Sequence, residues 1–122
     1  MPRVIHFEVP VDEPDRAVKF YEQVFGWKVH KWHGPVDYWL IITGKESEPG
    51  IDGAFVRRHH GRPTTVNTID VPSVEEFMAK IAEQGGTVLS PKVTVPGVGY
   101  MAYCQDTEGN TFGIIERDES AA

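Results

Sequence analysis

Between Val4 and Val29 the chain passes from a two-residue alternation to a helical spacing and back again. Arg3–Val9 alternates, with Val4, His6 and Glu8 on one side and Ile5, Phe7 and Val9 on the other, as a strand with two unlike faces does. Ala17, Phe20, Tyr21, Val24 and Phe25 then recur at the spacing of one helix face, which should meet the sheet. Pro14 suits the first turn, where its missing N–H has no partner to lose, Asp12 or Asp15 can cap it, and Gly26 stops it. The pattern predicts a helix over 14–25 followed by strands at Trp27–Trp32, Tyr38–Thr43 and Asp52–Arg57, with turn-rich connections at Gly34-Pro35 and Glu46–Gly50.

About 60 residues on, the same order returns in Val66–Val88, where Asp70-Val71-Pro72 repeats Glu8-Val9-Pro10 and Gly86 repeats Gly26. Ser73 with Glu76 three residues later makes a capping box, and Val74, Phe77, Met78, Ile81 and Ala82 form the second helical stripe, over 73–84. Strands are expected at Thr87–Val95, Tyr100–Gln105 and Thr111–Arg117, the last two joined by the turn Asp106–Asn110. Aligned on their glycines, Gly53-Ala54-Phe55 answers to Gly113-Ile114-Ile115, and Tyr38-Trp39 to Tyr100-Met101. Each half thus reads as βαβββ, about 3–58 and 64–117, giving an α+β fold of eight strands in a single domain with the helices outside, and a disordered tail over 118–122.

Composition narrows the function classes. At 122 residues, 40% hydrophobic and 25% charged, the chain can bury a core without disulfides or metal staples. A net charge of −6 and a pI near 5.3 argue against nucleic acid or an anionic membrane, which need a basic face, so neither is expected as partner. With no long apolar run, no leader-like start and the lone Cys104, a cytoplasmic location is expected. No phosphate-loop, dinucleotide-loop, nucleophile-elbow or paired C-x-x-C pattern occurs.

The paired modules, FYEQVFGW at the end of the first helix and PGVGYMAYCQDTEGNTFGIIE near the end of the chain, resemble the vicinal oxygen chelate superfamily, which includes glyoxalase I, extradiol dioxygenases and bleomycin-resistance proteins. The resemblance spans Val4–Glu116 and implies tandem βαβββ modules whose curved mixed sheets surround a cup, in a homodimer. It leaves the activity open, since one scaffold carries many functions. In the metalloenzymes of that family the first and last strands of each module supply the metal ligands. The matching positions are His6, Gly53, Thr68 and Gly113, of which only His6 carries a donor of the required kind. No cofactor is therefore expected, with a divalent metal as the alternative.

His6, in mid-strand, is the candidate base or hydrogen-bonding residue, or else a remnant ligand satisfied by a neighbour such as Thr68. Strand parity sets Val4, Phe55, Val66, Thr68 and Ile115 on the same face, and Trp27, Tyr38, Trp39, Tyr100 and Tyr103 are the aromatic candidates to line a small-molecule pocket. Glu8 and Asp70 read as turn geometry or rim ion pairs with Arg57 or Arg117, and Cys104 as a buried filler with no basic neighbour to activate it. His30, His33, His59 and His60 read as solvated turn residues, and Pro96–Gly99 as a loop able to approach a ligand. The expectation is a protein that binds a small organic molecule in an apolar aromatic cup without metal. The alternative is a lyase, isomerase or dioxygenase-type enzyme acting on a small carbonyl or aromatic compound, with His6 as base or metal ligand.

Overall fold

The computed structural model describes residues 2–34, 36–58 and 64–122. Pro35, His59 and His60 lie outside that range. The chain divides into two compact units, one of His6–Val66 and the other of Asn67–Ala122 with the first residues up to Ile5.

β1 (Val4–Val11) enters the first unit at His6 and is followed there by α1 (Pro14–Phe25), β2 (Lys28–Lys31), β3 (Tyr38–Ile42) and β4 (Asp52–Arg57). Its sheet runs β2-β3-β4-β1, with β1 parallel to β4 and the other pairs antiparallel. Pro14 sits in the first turn of α1, and Gly26 ends the helix at φ 74°, donating its N–H to Glu22 O at 3.0 Å. Neither aspartate caps α1. Glu13 occupies that position without a side-chain cap hydrogen bond, its carboxylate pairing instead with Arg16 at 2.8 Å, and Asp12 accepts from Arg58 Nε at 3.1 Å.

The inward stripe of α1 is narrower than expected. Ala17, Val18 and Tyr21 pack with Phe7, Val9, Trp27, Val29 and Trp39 against Val11, Ile41 and Phe55. Phe20, Val24 and Phe25 stay more than half exposed, and Phe20 meets Tyr21 edge to face at 5.1 Å.

β5 (Val66–Asp70) enters the second unit at Asn67 and is followed there by α2 (Val74–Glu83), β6 (Thr87–Val88), β7 (Val93–Val95), β8 (Gly99–Gln105) and β9 (Thr111–Arg117). Its sheet runs β5-β9-β8-β6, with β7 also on β8 and only β5–β9 parallel. The strand expected over Thr87–Val95 is two strands. Pro91 has no N–H to give the ladder, and across the break Leu89 and Ser90 donate to Tyr103 O while Tyr103 N donates to Ser90 Oγ at 2.9 Å. Nine strands and two helices result among the described residues, an α+β fold.

Val71, Ala102, Cys104 and Ile114 are buried beneath α2, with Val74, Phe77, Met78 and Ile81 of the helix packed over them. Cys104 is fully buried there and its thiol is pushed up by that burial, as a filler's would be. Ser73 Oγ accepts the Glu76 N–H at 3.2 Å, so Ser73→Ala is expected to cost about 1 kcal/mol in a denaturant titration, and a neutral result would refute the cap. Asp118 N donates to Val98 O, Gly97 N donates to Ala121 O, and Ala121 is buried.

Candidate functional site

Each sheet has one face under its helix and one face turned from it, and register decides which residues lie on which. In the first module Phe7, Gly53 and Ile41 form one row and Val9, Phe55 and Trp39 the next, both beneath α1. The opposite face carries His6 beside Asp52, and Glu8 beside Ala54 and Leu40. In the second module the helix side takes Ile69, Ile114 and Ala102, and the opposite face Thr68, Gly113 and Tyr103, then Asp70, Ile115 and Met101.

Several candidates therefore change place. Phe55 is fully buried under α1, 5.3 Å from the Tyr21 ring, and does not share the His6 face. Trp27 stacks on Tyr21 at 5.0 Å on the same side. Trp39 is also on the α1 side, with Lys31 and Arg57 over its ring and both cations paired to Asp37. Tyr100 packs on the core beneath α2, with Lys92 over its ring at 5.0 Å. Tyr38 lies on the face of His6, and Thr68, Tyr103 and Ile115 lie on the helix-free face of their own module.

One slip accounts for the misplacements within the strands. The pairings Phe7 with Gly53 and Ile69 with Ile114 make Gly53 the counterpart of Ile114, so Asp52 is the counterpart of Gly113, and by the same ladders Trp39 is the counterpart of Tyr100. An error of one residue exchanges the two faces of a strand. A Cβ on Gly53 would meet Phe7 O at 2.5 Å and the Phe7 ring at 2.7 Å, which is why glycine stands there. A Cβ on Gly113 would instead point at Thr68 Oγ1, 3.2 Å away.

His6, Tyr38 and Glu8 form a connected chain. His6 Nε2 lies 2.7 Å from Tyr38 Oη, the two rings are nearly parallel at 6.3 Å, and Tyr38 Oη donates to Glu8 Oε2 at 3.1 Å. Tyr38 is two strands from His6, on β3, with β4 between. The fully buried Ala54 lies on that face of β4 and leaves room for the phenol to reach across. Glu8 is 3% exposed, so it is an interior group and not a rim residue, and Arg57, its expected partner, is bound to Asp37. A buried carboxylate needs hydrogen bonds, and Tyr38 supplies one. Burial lowers the pKa of His6, while the Glu8 and Asp52 carboxylates oppose the shift, so the ring is neutral at pH 7. Trp32 meets Tyr38 edge to face at 6.1 Å.

In the second module Asp70 forms its ion pair with Arg117 at 2.7 Å, and Thr68, 2% exposed, has a hydroxyl without a hydrogen-bond partner among the described residues. His30 and His33 are exposed. A shallow groove of about 390 Å³ between Pro72, Phe77 and Arg117 includes none of the candidate residues, and its charges are already engaged, Arg117 by Asp70 and Glu116 by the Val74 N–H.

Donors for a metal fit poorly. The slip brings Asp52, not glycine, to the register of His6, but the Asp52 carboxylate accepts the Thr43 N–H at 2.8 Å, and the second module offers a hydroxyl and a glycine. Among the described residues no three His, Cys, Asp or Glu side chains gather as a metal-binding group. Nor is any helix among them long and apolar enough to cross a membrane.

The fold is shared with solved proteins. A hypothetical protein from Bacillus halodurans matches with a TM-score of 0.74 and 16% identity over 99% of this chain and 98% of that one. Methylmalonyl-CoA epimerase from Streptomyces coelicolor matches with a TM-score of 0.71 and 16% identity over 98% and 97%, and the enzyme from Mycobacterium tuberculosis with 0.66 and 12% over 94% and 87%. A glyoxylase-like domain-containing protein of Didymella fabae is 28% identical over 118 residues, 90% of each chain. Residues 3–114 match the family model, and the chain belongs to the Glyoxalase/Bleomycin resistance protein/Dioxygenase superfamily.

Proposed function

We propose that the chain binds a small organic molecule, without a metal, against the helix-free face of the first module, and that His6 is the polar anchor. The observation that carries this reading is the Glu8–Tyr38–His6 chain, a half-buried and connected polar system on a face whose other groups include Trp32, Leu40 and Val56. Apolar and aromatic surface with a few placed polar groups is the usual make-up of a small-molecule site. Ligand affinity then comes from apolar burial, roughly 25 cal/mol per Å² before the costs of association, and His6 sets selectivity. Thr68, Tyr103 and Ile115 are the corresponding candidates of the second module.

A second reading is favoured by the neutral state of His6. A neutral imidazole held by a hydrogen-bonded phenol is competent to take a proton from carbon next to a carbonyl, which would make the protein a lyase or isomerase of a small carbonyl compound. The likeness to methylmalonyl-CoA epimerases, at 16% identity and below, supports the fold and names no substrate.

Trp32, close to Tyr38, is the natural reporter. Tryptophan fluorescence titrations with small aromatic compounds are expected to saturate with equal affinity with and without EDTA, and His6→Ala to change ligand preference while the protein stays folded. Binding that vanished with the chelator and returned with one divalent metal would refute the metal-free reading. Turnover of a carbonyl compound that vanished in His6→Ala would favour the second.

A further inference from the structure

The hydrogen bonds around His6 have a direction. Tyr38 Oη gives its proton to Glu8 Oε2 at 3.1 Å, and a phenol has one proton to give. His6 Nε2, 2.7 Å from the same oxygen, is therefore the donor in that contact. This places the proton of the neutral ring on Nε2 and its lone pair on Nδ1. Both protons of the chain run toward Glu8, and the chain ends, at Nδ1, in an acceptor. Among the described residues, the charged groups that act on the ring are the carboxylates of Glu8 and Asp52, both negative.

We infer that the Glu8–Tyr38–His6 chain makes this face selective for a ligand that brings a hydrogen-bond donor and no negative charge: an alcohol, a phenol or an N–H compound that donates to His6 Nδ1. The inference rests on the proposal that this face is the ligand site, and it adds the chemical class. A ligand with only an acceptor would set its lone pairs against that of Nδ1, and a carboxylate would enter beside two charges of its own sign. Each leaves a buried polar group without its bond, and such mismatches discriminate more strongly than apolar contacts do. Tyr38 and Glu8 are positioning residues in this scheme, acting on the ligand through the tautomer of His6.

Ring-nitrogen NMR on the uniformly ¹⁵N-labelled protein reads the tautomer directly, and 4-methylphenol, 4-methylanisole and 4-methylbenzoate are probes that differ in donor and charge. The expected results are a proton on Nε2 of His6 and binding of the phenol at least about tenfold tighter than of the ether or the benzoate. In Tyr38→Phe, which removes the acceptor for Nε2–H, the ring should become a mixture of tautomers and the preference for the phenol should shrink. Glu8→Gln, whose amide can also donate to Tyr38, should shift the tautomer the same way if Tyr38→Phe does not fold. A proton on Nδ1 in the unaltered protein, or an ether or benzoate bound as tightly as the phenol, would overturn the inference while leaving a ligand site in place. A proton on Nε2 with none of the three probes bound would overturn the site itself, and the ligand class with it.

Discussion

Phe55→Ala is expected to destabilise the protein by about 3–5 kcal/mol in a urea titration, the range for removing a large aromatic from a packed interior. Phe55 is fully buried, it stands between Val9 and Trp39 in register, and its ring lies against Tyr21 from α1. Removing it empties the point where the helix meets the sheet, and the paired strands on both sides hold the backbone too firmly for the gap to close. Phe20→Ala is the matched control: 54% exposed and edge to face with Tyr21, it should change stability by less than about 1 kcal/mol. Equal costs for the two would mean that α1 packs on its sheet through the other side of its stripe. The pair also separates stability from binding, because Phe55 faces α1 and does not share a face with His6.

The helix of each module was legible because amphipathic spacing and end signals act locally: Pro14, Gly26 and the Ser73 cap stand where the pattern sets them. Depth within the stripe was less legible. Ala17, Phe20, Tyr21, Val24 and Phe25 span a wider arc than the sheet covers, and the contact centres on Tyr21, so Val18 turns inward while Phe20 and Val24 fall outside. Hydrophobicity alone does not separate these positions, since an exposed aromatic on a helix is common.

In strands the limit was register. The repeat fixes the first strand of each module through Glu8-Val9-Pro10 and Asp70-Val71-Pro72, but the glycines that seem to align the last strands serve different needs. Gly53 makes room for Phe7 beneath α1, whereas Gly113 lies beside Thr68 on the opposite face. Aligning them moved Phe55 to the wrong side and hid Asp52 from the donor count. The His6–Tyr38 contact was missed for a related reason. It joins residues 32 apart in sequence across an intervening strand, and depends on the strand order β3-β4-β1 and on the small Ala54 side chain, neither of which leaves a local trace. Parity did place His6 and Glu8 together, which is the half of the chain that one strand encodes.

Gly99→Ala is expected to cost about 3–5 kcal/mol, combining overpacking with backbone strain. Gly99 opens β8 opposite Arg117 at φ 153°, and a Cβ there would overlap the carbonyl oxygen of Glu116 and come within 3.0 Å of the Arg117 Cα and the Asp118 nitrogen. None of these is the movable end of a side chain. Relief requires β8 and β9 to part where Asp118 N bonds Val98 O, and the tail held through Gly97 N and Ala121 O would loosen with them. Gly97→Ala tests the alternative within the same loop: its φ of 75° penalises a side chain, but nothing lies within 4 Å, so a loss of about 1 kcal/mol is expected. If both substitutions cost the same small amount, β8 and β9 are not held as closely as the structure has them. A large gap would instead give the two glycines of Pro96–Gly99 separate structural duties, one turning the chain and one admitting a neighbouring backbone.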